Sequence, residues 1–260
     1  MGKIRAVLFD FDGTISTLRA GWECIMAPFM KEEIAGSHSL SAEEEERLDR
    51  DIAAYIDQST GIQTIYQMQW LADKVRSAGW NETVKDEWAY KAVYNSRLLE
   101  QVMKRVDQLA LGQSAADDYL IKGAADFIRT LHSRGLELYV ASGTDHPDVV
   151  REAEVLGVAK YFRAIAGAPV GKADCSKEKV LRELMHDKGL AGHELAVIGD
   201  GKVEIRLAKE AGSLALGLAS DEEARTGIHP VKKHRLMAAG ADWIAGDFVN
   251  TEEWLKRLGL

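Results

Sequence analysis

The chain predicts an α/β fold, a parallel sheet flanked by helices with an α-helical domain inserted into it. Three observations lead there. A compact β-prone run, IRAVLF at positions 4–9, is followed at once by an acidic, glycine-containing loop. From about Gly21 to Leu120 the apolar residues recur at helical spacing with no strand-like run among them. From Gly123 onwards helical and buried-strand patterns alternate, the signature of a Rossmann-like sheet covered on both faces with its sites at the carboxyl ends of the strands. The predicted boundaries give a sheet-bearing Rossmann-like core from residues 1–18 and 121–260, with residues 19–120 as the helical insertion. A chain of 260 residues is long enough for such a core and a smaller inserted domain.

In chain order, IRAVLF is the first strand. AEEEERLDRDIAAYIDQ and ETVKDEWAYKAVYNSRLLEQVMKRVDQL are amphipathic helices of the insertion. Ser41, three residues before Glu44, forms a capping box, so the acidic run Glu43 to Glu46 reads as a solvated helix start that suits the helix dipole. Beyond Gly123 come a helix through AADFIRTLHSR, a strand at LELYVA, a helix around PDVVREAEVLG and a short strand near YFRAIAG. They are followed by a helix at KEKVLRELMHD, a strand at ELAVIG, a helix at EIRLAKEAG, a strand at LALGLA and a last helix–strand–helix through WLKRL. Trp22, Trp70, Trp80 and Trp88 are expected to form the small core of the insertion.

Lys and Arg number 33 against 41 Asp and Glu, a net charge of −8 that repels phosphate backbones and anionic lipid. Nucleic acid and membrane are therefore not expected as partners. An anionic small substrate needs local positive potential, which lysines and helix N-termini supply. Two cysteines, Cys24 and Cys175, make no disulfide framework, and no Cys/His cluster suggests zinc. No stretch approaches membrane-spanning length, and a cytoplasmic protein is expected.

The segment DFDGT, Asp10 to Thr14, places two carboxylates two residues apart at the end of a buried strand. One carboxylate there can attack phosphorus, and the second can give or take the leaving group's proton. Together they offer hard oxygen ligands to Mg²⁺. A strand-end turn that merely satisfies backbone groups is the plain alternative, and burying two charges makes it costly.

This segment resembles the DxDx[TV] strand end of the haloacid dehalogenase-like superfamily, and further signatures follow in the family's order. The resemblance implies Asp10 as nucleophile, carrying an aspartyl phosphate, and Asp12 as general acid and base. LYVASGT matches the second signature at Ser142, and Ser142, Gly143 and Thr144, with Thr14, are the implied phosphate contacts ahead of a helix opened by Pro147. The third signature needs one lysine. KEKVL, at the start of an amphipathic helix, resembles the family's K-x-x-[VI]-[IL] arrangement, which implies Lys177 over Lys172, which follows a glycine in a loop; Lys179 reads as a solvated helix residue. LAVIGDGKVEI matches the fourth, making Asp200 the third metal ligand. Glu204, four residues on and on the same helix face, is a metal-site residue that holds a bound water or Lys177.

Other motifs fail on spacing. GAPVGK has three residues between its glycines where a P-loop has four, and Ala173 stands where the loop's Ser or Thr would be. His229 and His234 are five apart and do not share a helical face as metal ligands would.

The expected function is a Mg²⁺-dependent phosphatase acting on a small phosphorylated metabolite, with the insertion as a helical cap. A phosphoglucomutase-like phosphotransferase, a dehalogenase or phosphonatase, and a silent ligand-binding relative are the alternatives. Arg19 and Trp22, just after the first signature, could reach the substrate's non-phosphate end; otherwise Arg19 is solvated and Trp22 packs in the first helix of the insertion.

Overall fold

The computed structural model describes residues 4–173 and 177–260. They form two compact units, one from Met1–Ala20 with Arg105–Leu260, the other from Gly21–Lys104.

The first unit is built on a six-stranded sheet in the order β3-β2-β1-β4-β5-β6. Its strands are β1 (Ala6–Phe9), β2 (Glu137–Asp145), β3 (Ala164–Ala168), β4 (Leu195–Gly199), β5 (Leu214–Leu218) and β6 (Trp243–Ala245). Every pairing is parallel, with Phe9 level with Val140 on one side and Ile198 on the other. β1 and β4 are buried at every residue, which is why they read as unbroken apolar runs.

One face packs Ala6, Leu8, Tyr139, Val197 and Ala215 against Leu181, Leu184, Ile205, Ala208 and Leu236. These last five come from α7 (Lys177–Lys188), α8 (Lys202–Glu210) and α9 (Pro230–Ala239). On the other side of β1, Phe9 meets Phe127 edge-on at 6.2 Å, and Phe127 stacks on Phe248 at 5.0 Å and packs against Trp254 at 5.3 Å. Phe127 lies on α5 (Ala124–Ser133) and Trp254 on α10 (Thr251–Leu258). Each such ring or Leu removed from water contributes about 1.5–3 kcal/mol before conformational entropy is counted.

β2 runs further than its apolar letters suggest. It continues through Ser142, Gly143 and Thr144 to Asp145, where its register with β3 shifts between Ala141 and Asp145. The irregularity turns these polar residues toward the strand's end and leads directly into α6 (His146–Val155), which carries Pro147 in its first turn.

The second unit holds α1 (Glu23–Ala35), α2 (Ala42–Ser59), α3 (Thr64–Ala78) and the greater part of α4 (Glu87–Ala110). The Ser41–Glu44 capping box opens α2 with both reciprocal bonds made. The core of this unit is Met26, Phe29, Met30, Ile34, Ile52, Met68, Leu71, Val75, Tyr90 and Tyr94, all buried. The tryptophans are not this core, contrary to expectation. Trp22, Trp70, Trp80 and Trp88 are all partly exposed; Trp70 stacks on Tyr55 at 4.0 Å and Trp80 on His38 at 5.0 Å. Sulfur-bearing and single-ring side chains fill small helical interfaces, whereas an indole is large and rarely buried whole. Among the described residues no helix is long and apolar enough to cross a membrane.

Candidate active site

The site grows from the end of β1. Asp10 follows Phe9, is 5% exposed, and its N–H donates to the Ile198 carbonyl at 2.9 Å. The chain then turns sharply, with the N–H of Ile15 donating to the Phe11 carbonyl at 2.8 Å and that of Gly13 to the Ser16 carbonyl at 2.9 Å. Gly13 has φ 70°, and a Cβ there would lie 2.3 Å from Asp200 Oδ2. The turn thus needs a residue that is both left-handed and without a side chain. Gly199, at the end of β4, is needed for space alone, since a Cβ would approach the Glu204 side chain at 2.9 Å and Asp10 Cβ at 3.4 Å.

Lys177, the first residue of α7, extends its ammonium 2.8 Å from Asp10 Oδ1 and also against Glu204 Oε1. Burial works to lower the lysine's pKa, but the two carboxylates outweigh it and hold it above its usual range. Burial pushes the Asp10 carboxyl well above the ordinary carboxylate range; Lys177 opposes this, and Glu204 and Asp200 add to it. Two further carboxylates thus act on Asp10 across the buried strand end.

Asp12 is held through one oxygen. Its Oδ2 accepts from Thr144 Oγ1 at 2.8 Å and from Ser142 Oγ at 3.3 Å, and Ser142 Oγ in turn accepts from the Thr144 N–H at 3.0 Å. Its Oδ1 is buried without a hydrogen bond, and the nearest cation is Arg19 Nε at 3.9 Å. Arg19 is not a freely solvated side chain: its fork grips Glu152, with Nη2 and Nε at 2.6 and 3.0 Å from Oε1, and Asp148 Oδ2 lies 3.6 Å away. Glu152 is fully buried, and burial raises its pKa to about 7 despite the arginine.

Asp200 is met by Lys232 of α9, whose Nζ lies 2.7 Å from Asp200 Oδ2 and 2.6 Å from Glu222 Oε1. Ser220, just after β5, donates to the Gly13 carbonyl at 2.5 Å and so ties this arm to the turn.

The structure thus gathers Asp10, Asp12, Ser142, Thr144, Lys177, Asp200 and Glu204 at the carboxyl ends of β1, β2 and β4, with Gly143 between the two hydroxyl residues. The Thr14 hydroxyl is buried without a hydrogen bond. Lys172 is exposed in the loop after β3, and Trp22 caps α1 in the helical unit. Sequence reasoning missed Glu152, Asp148, Glu222 and Lys232. A signal existed for two of them. Glu152 falls between Val149 and Ala153 on the buried stripe of α6, which Leu156 continues at the C-cap, and Lys232 lies one turn before buried Leu236 on α9. A charged residue inside an apolar stripe marks a buried pair.

Among the described residues no three His, Cys, Asp or Glu side chains cluster tightly enough to hold a metal alone. Mg²⁺ does not require that, because it commonly takes one or two carboxylates and keeps water or phosphate oxygens for the rest. Asp10 and Asp200, hard oxygen donors that repel each other across a buried strand end, could hold it; Asp12 Oδ1 and Glu204 Oε2 are further buried carboxylate oxygens without a hydrogen bond. The donor set fits a hard divalent cation.

A parallel sheet that gathers paired carboxylates at its strand ends, with a largely buried lysine on the first of them, defines a hydrolase of the haloacid dehalogenase type. Residues 4–212 match the haloacid dehalogenase-like hydrolase family, and the chain belongs to it. It is 26% identical over 222 residues to a phosphoglycolate phosphatase of Shigella dysenteriae, covering 83% of this chain and 81% of that one. A predicted phosphoglycolate phosphatase from Haemophilus somnus superposes with a TM-score of 0.65 at 16% identity, covering 98% of this chain and 99% of that one. A β-phosphoglucomutase from Clostridium difficile also gives 0.65, at 13% identity, with 98% and 97% covered. At these identities the structural likeness speaks to the fold.

Proposed function

We propose that the protein is a Mg²⁺-dependent phosphatase that hydrolyses a small phosphorylated metabolite through an aspartyl phosphate on Asp10. The observation that carries this reading is the ammonium of Lys177 set 2.8 Å from Asp10 Oδ1 inside a buried strand end where Glu204 and Asp200 also lie. A cation there suits a position where phosphoryl charge develops.

In the first step an Asp10 oxygen forms a bond to phosphorus while the bond to the ester oxygen breaks, and Asp12 gives its proton to the departing alkoxide. Water then attacks the aspartyl phosphate, Asp12 takes its proton, and phosphate leaves with Asp10 regenerated. Lys177 neutralises the transferred group, and Thr14, Ser142, Gly143 and Thr144 surround its oxygens. The hydroxyls of Ser142 and Thr144 also keep Asp12 aimed, through the bonds to its Oδ2. Asp10 and Asp200 would hold Mg²⁺, with Asp12 and Glu204 alongside; when bound, the ion supplies charge stabilisation to the phosphoryl oxygens. The helical unit, Gly21–Lys104, is proposed as the cap that selects the substrate. The absence of a membrane-crossing helix among the described residues agrees with a cytoplasmic setting.

The test is release of phosphate, with and without Mg²⁺, from an aryl phosphate and from a panel that includes phosphoglycolate and hexose phosphates, together with chemical trapping of the acyl phosphate. Asp10→Asn should be inactive and untrappable. Retention of more than about a tenth of wild-type turnover by this variant, in a folded sample, would remove the covalent mechanism. Transfer of the phosphoryl group to a second sugar hydroxyl instead of water would move the reading to a phosphotransferase.

A further inference from the structure

Asp200 carries a partner that lies beyond the stretch matching the family, residues 4–212. Lys232 Nζ sits 2.7 Å from Asp200 Oδ2, 2.6 Å from Glu222 Oε1 and 3.4 Å from Ser220 Oγ, so each of its three N–H donors has an acceptor. The lysine and Asp200 side chains are only 13% and 9% exposed. On its other side the same Asp200 oxygen packs over Gly13, where a Cβ would stand 2.3 Å from it and 3.1 Å from Glu222 Oε1. Ser220 closes the arrangement by donating to the Gly13 carbonyl.

We propose that Lys232, braced by Glu222 and Ser220, is a positioning residue that fixes Asp200 for divalent-cation binding by occupying one of its oxygens. The inference rests on the Mg²⁺-dependent reading given above. One carboxylate oxygen is pinned between the lysine and the DFDGT turn, which sets the direction of the other. A bare lysine beside a metal ligand would repel the ion, but Glu222 cancels its charge at hydrogen-bond distance. The lysine can therefore orient the carboxylate without a net electrostatic cost to the cation. Hydrogen bonds from outer partners to a ligating carboxylate are worth about ten- to a hundredfold in metal affinity.

Calorimetric titration of the full chain with MgCl₂ tests this, with melting of the metal-free protein followed by circular dichroism as the check on folding. Lys232→Met should bind Mg²⁺ about ten- to a hundredfold more weakly than wild type, and Lys232→Arg should restore most of the loss. Charge alone predicts the opposite sign, because the methionine removes a cation and leaves Glu222 negative. Unchanged or tighter binding by Lys232→Met overturns the proposal. If that variant does not fold, Lys232→Gln carries the same expectation and the same overturning result. Asp200→Asn separates the two levels of inference: loss of Mg²⁺ binding there with none in the Lys232 variants defeats this proposal alone, while a wild type that takes up no Mg²⁺ defeats the metal-dependent reading and this proposal together.

Discussion

Arg19 and Glu152 form a nearly buried pair in which Nη2 lies 2.6 Å and Nε 3.0 Å from the same carboxylate oxygen, tying the segment after the DFDGT turn to α6. The carboxyl's pKa is raised from 4.5 to about 7, chiefly by burial. Between those pH values the folded protein binds more protons at this site than the unfolded chain does. The contribution of Glu152 to stability therefore falls as pH rises across that window. The difference in melting temperature between wild type and Glu152→Gln should move against the wild type from about pH 5 to about pH 7.5. A pH-independent difference would mean that the carboxyl titrates normally. Glu152→Ala removes the hydrogen bonds to the guanidinium and leaves it only the more distant Asp148 and Asp12, at 3.6 and 3.9 Å, and should cost about 1.5–3 kcal/mol near neutral pH by chemical denaturation.

Lys177 and Lys172 should separate cleanly. Lys177→Met removes the cation 2.8 Å from Asp10 and should lower phosphatase turnover by at least about 10²–10³-fold. Lys172→Ala alters an exposed loop residue and should leave turnover within about twofold. Steady-state kinetics on an aryl phosphate decides, and the reverse pattern would transfer the role to the loop.

Thr144→Val keeps the side chain's shape and deletes the hydroxyl that donates to Asp12 at 2.8 Å. A hydrogen bond to a charged group is worth about 1.5–3 kcal/mol, so turnover should fall about ten- to a hundredfold while KM changes little. A loss confined to KM would show that the hydroxyl serves substrate binding alone and does not aim Asp12.

Gly13 and Gly157 share a left-handed backbone, with φ 70° and 71°, but only Gly13 has neighbours where a Cβ would go. Gly157→Ala should cost about 1–2 kcal/mol for backbone strain alone. Gly13→Ala must in addition displace Asp200 Oδ2 from 2.3 Å, and should both destabilise the protein further and weaken Mg²⁺ binding measured by calorimetry. Equal costs at the two glycines would show that Asp200 yields freely.

The sequence by itself determined the α/β class, the order of the strands along the chain and the strand ends at which acidic, hydroxyl and lysine residues would lie. Those features are local: an apolar run of β-branched and small residues, a change from period 2 to period 3.6, a turn that only glycine completes. The choice of Lys177 over Lys172 came from the likeness of KEKVL, at the start of an amphipathic helix, to the family's third signature. Only the tertiary structure decided that β2 continues through Ser142–Asp145, that the tryptophans of the helical unit lie at its edge, and that Arg19 is consumed by Glu152. It alone joined Lys232 to Asp200. Arg19 and Glu152 are 133 positions apart, and Lys232 and Asp200 are 32 apart. No periodicity spans such separations. A buried charge chooses its partner by which opposite charge the packed sheet brings within about 3 Å, a choice made by the fold's geometry after local structure has formed.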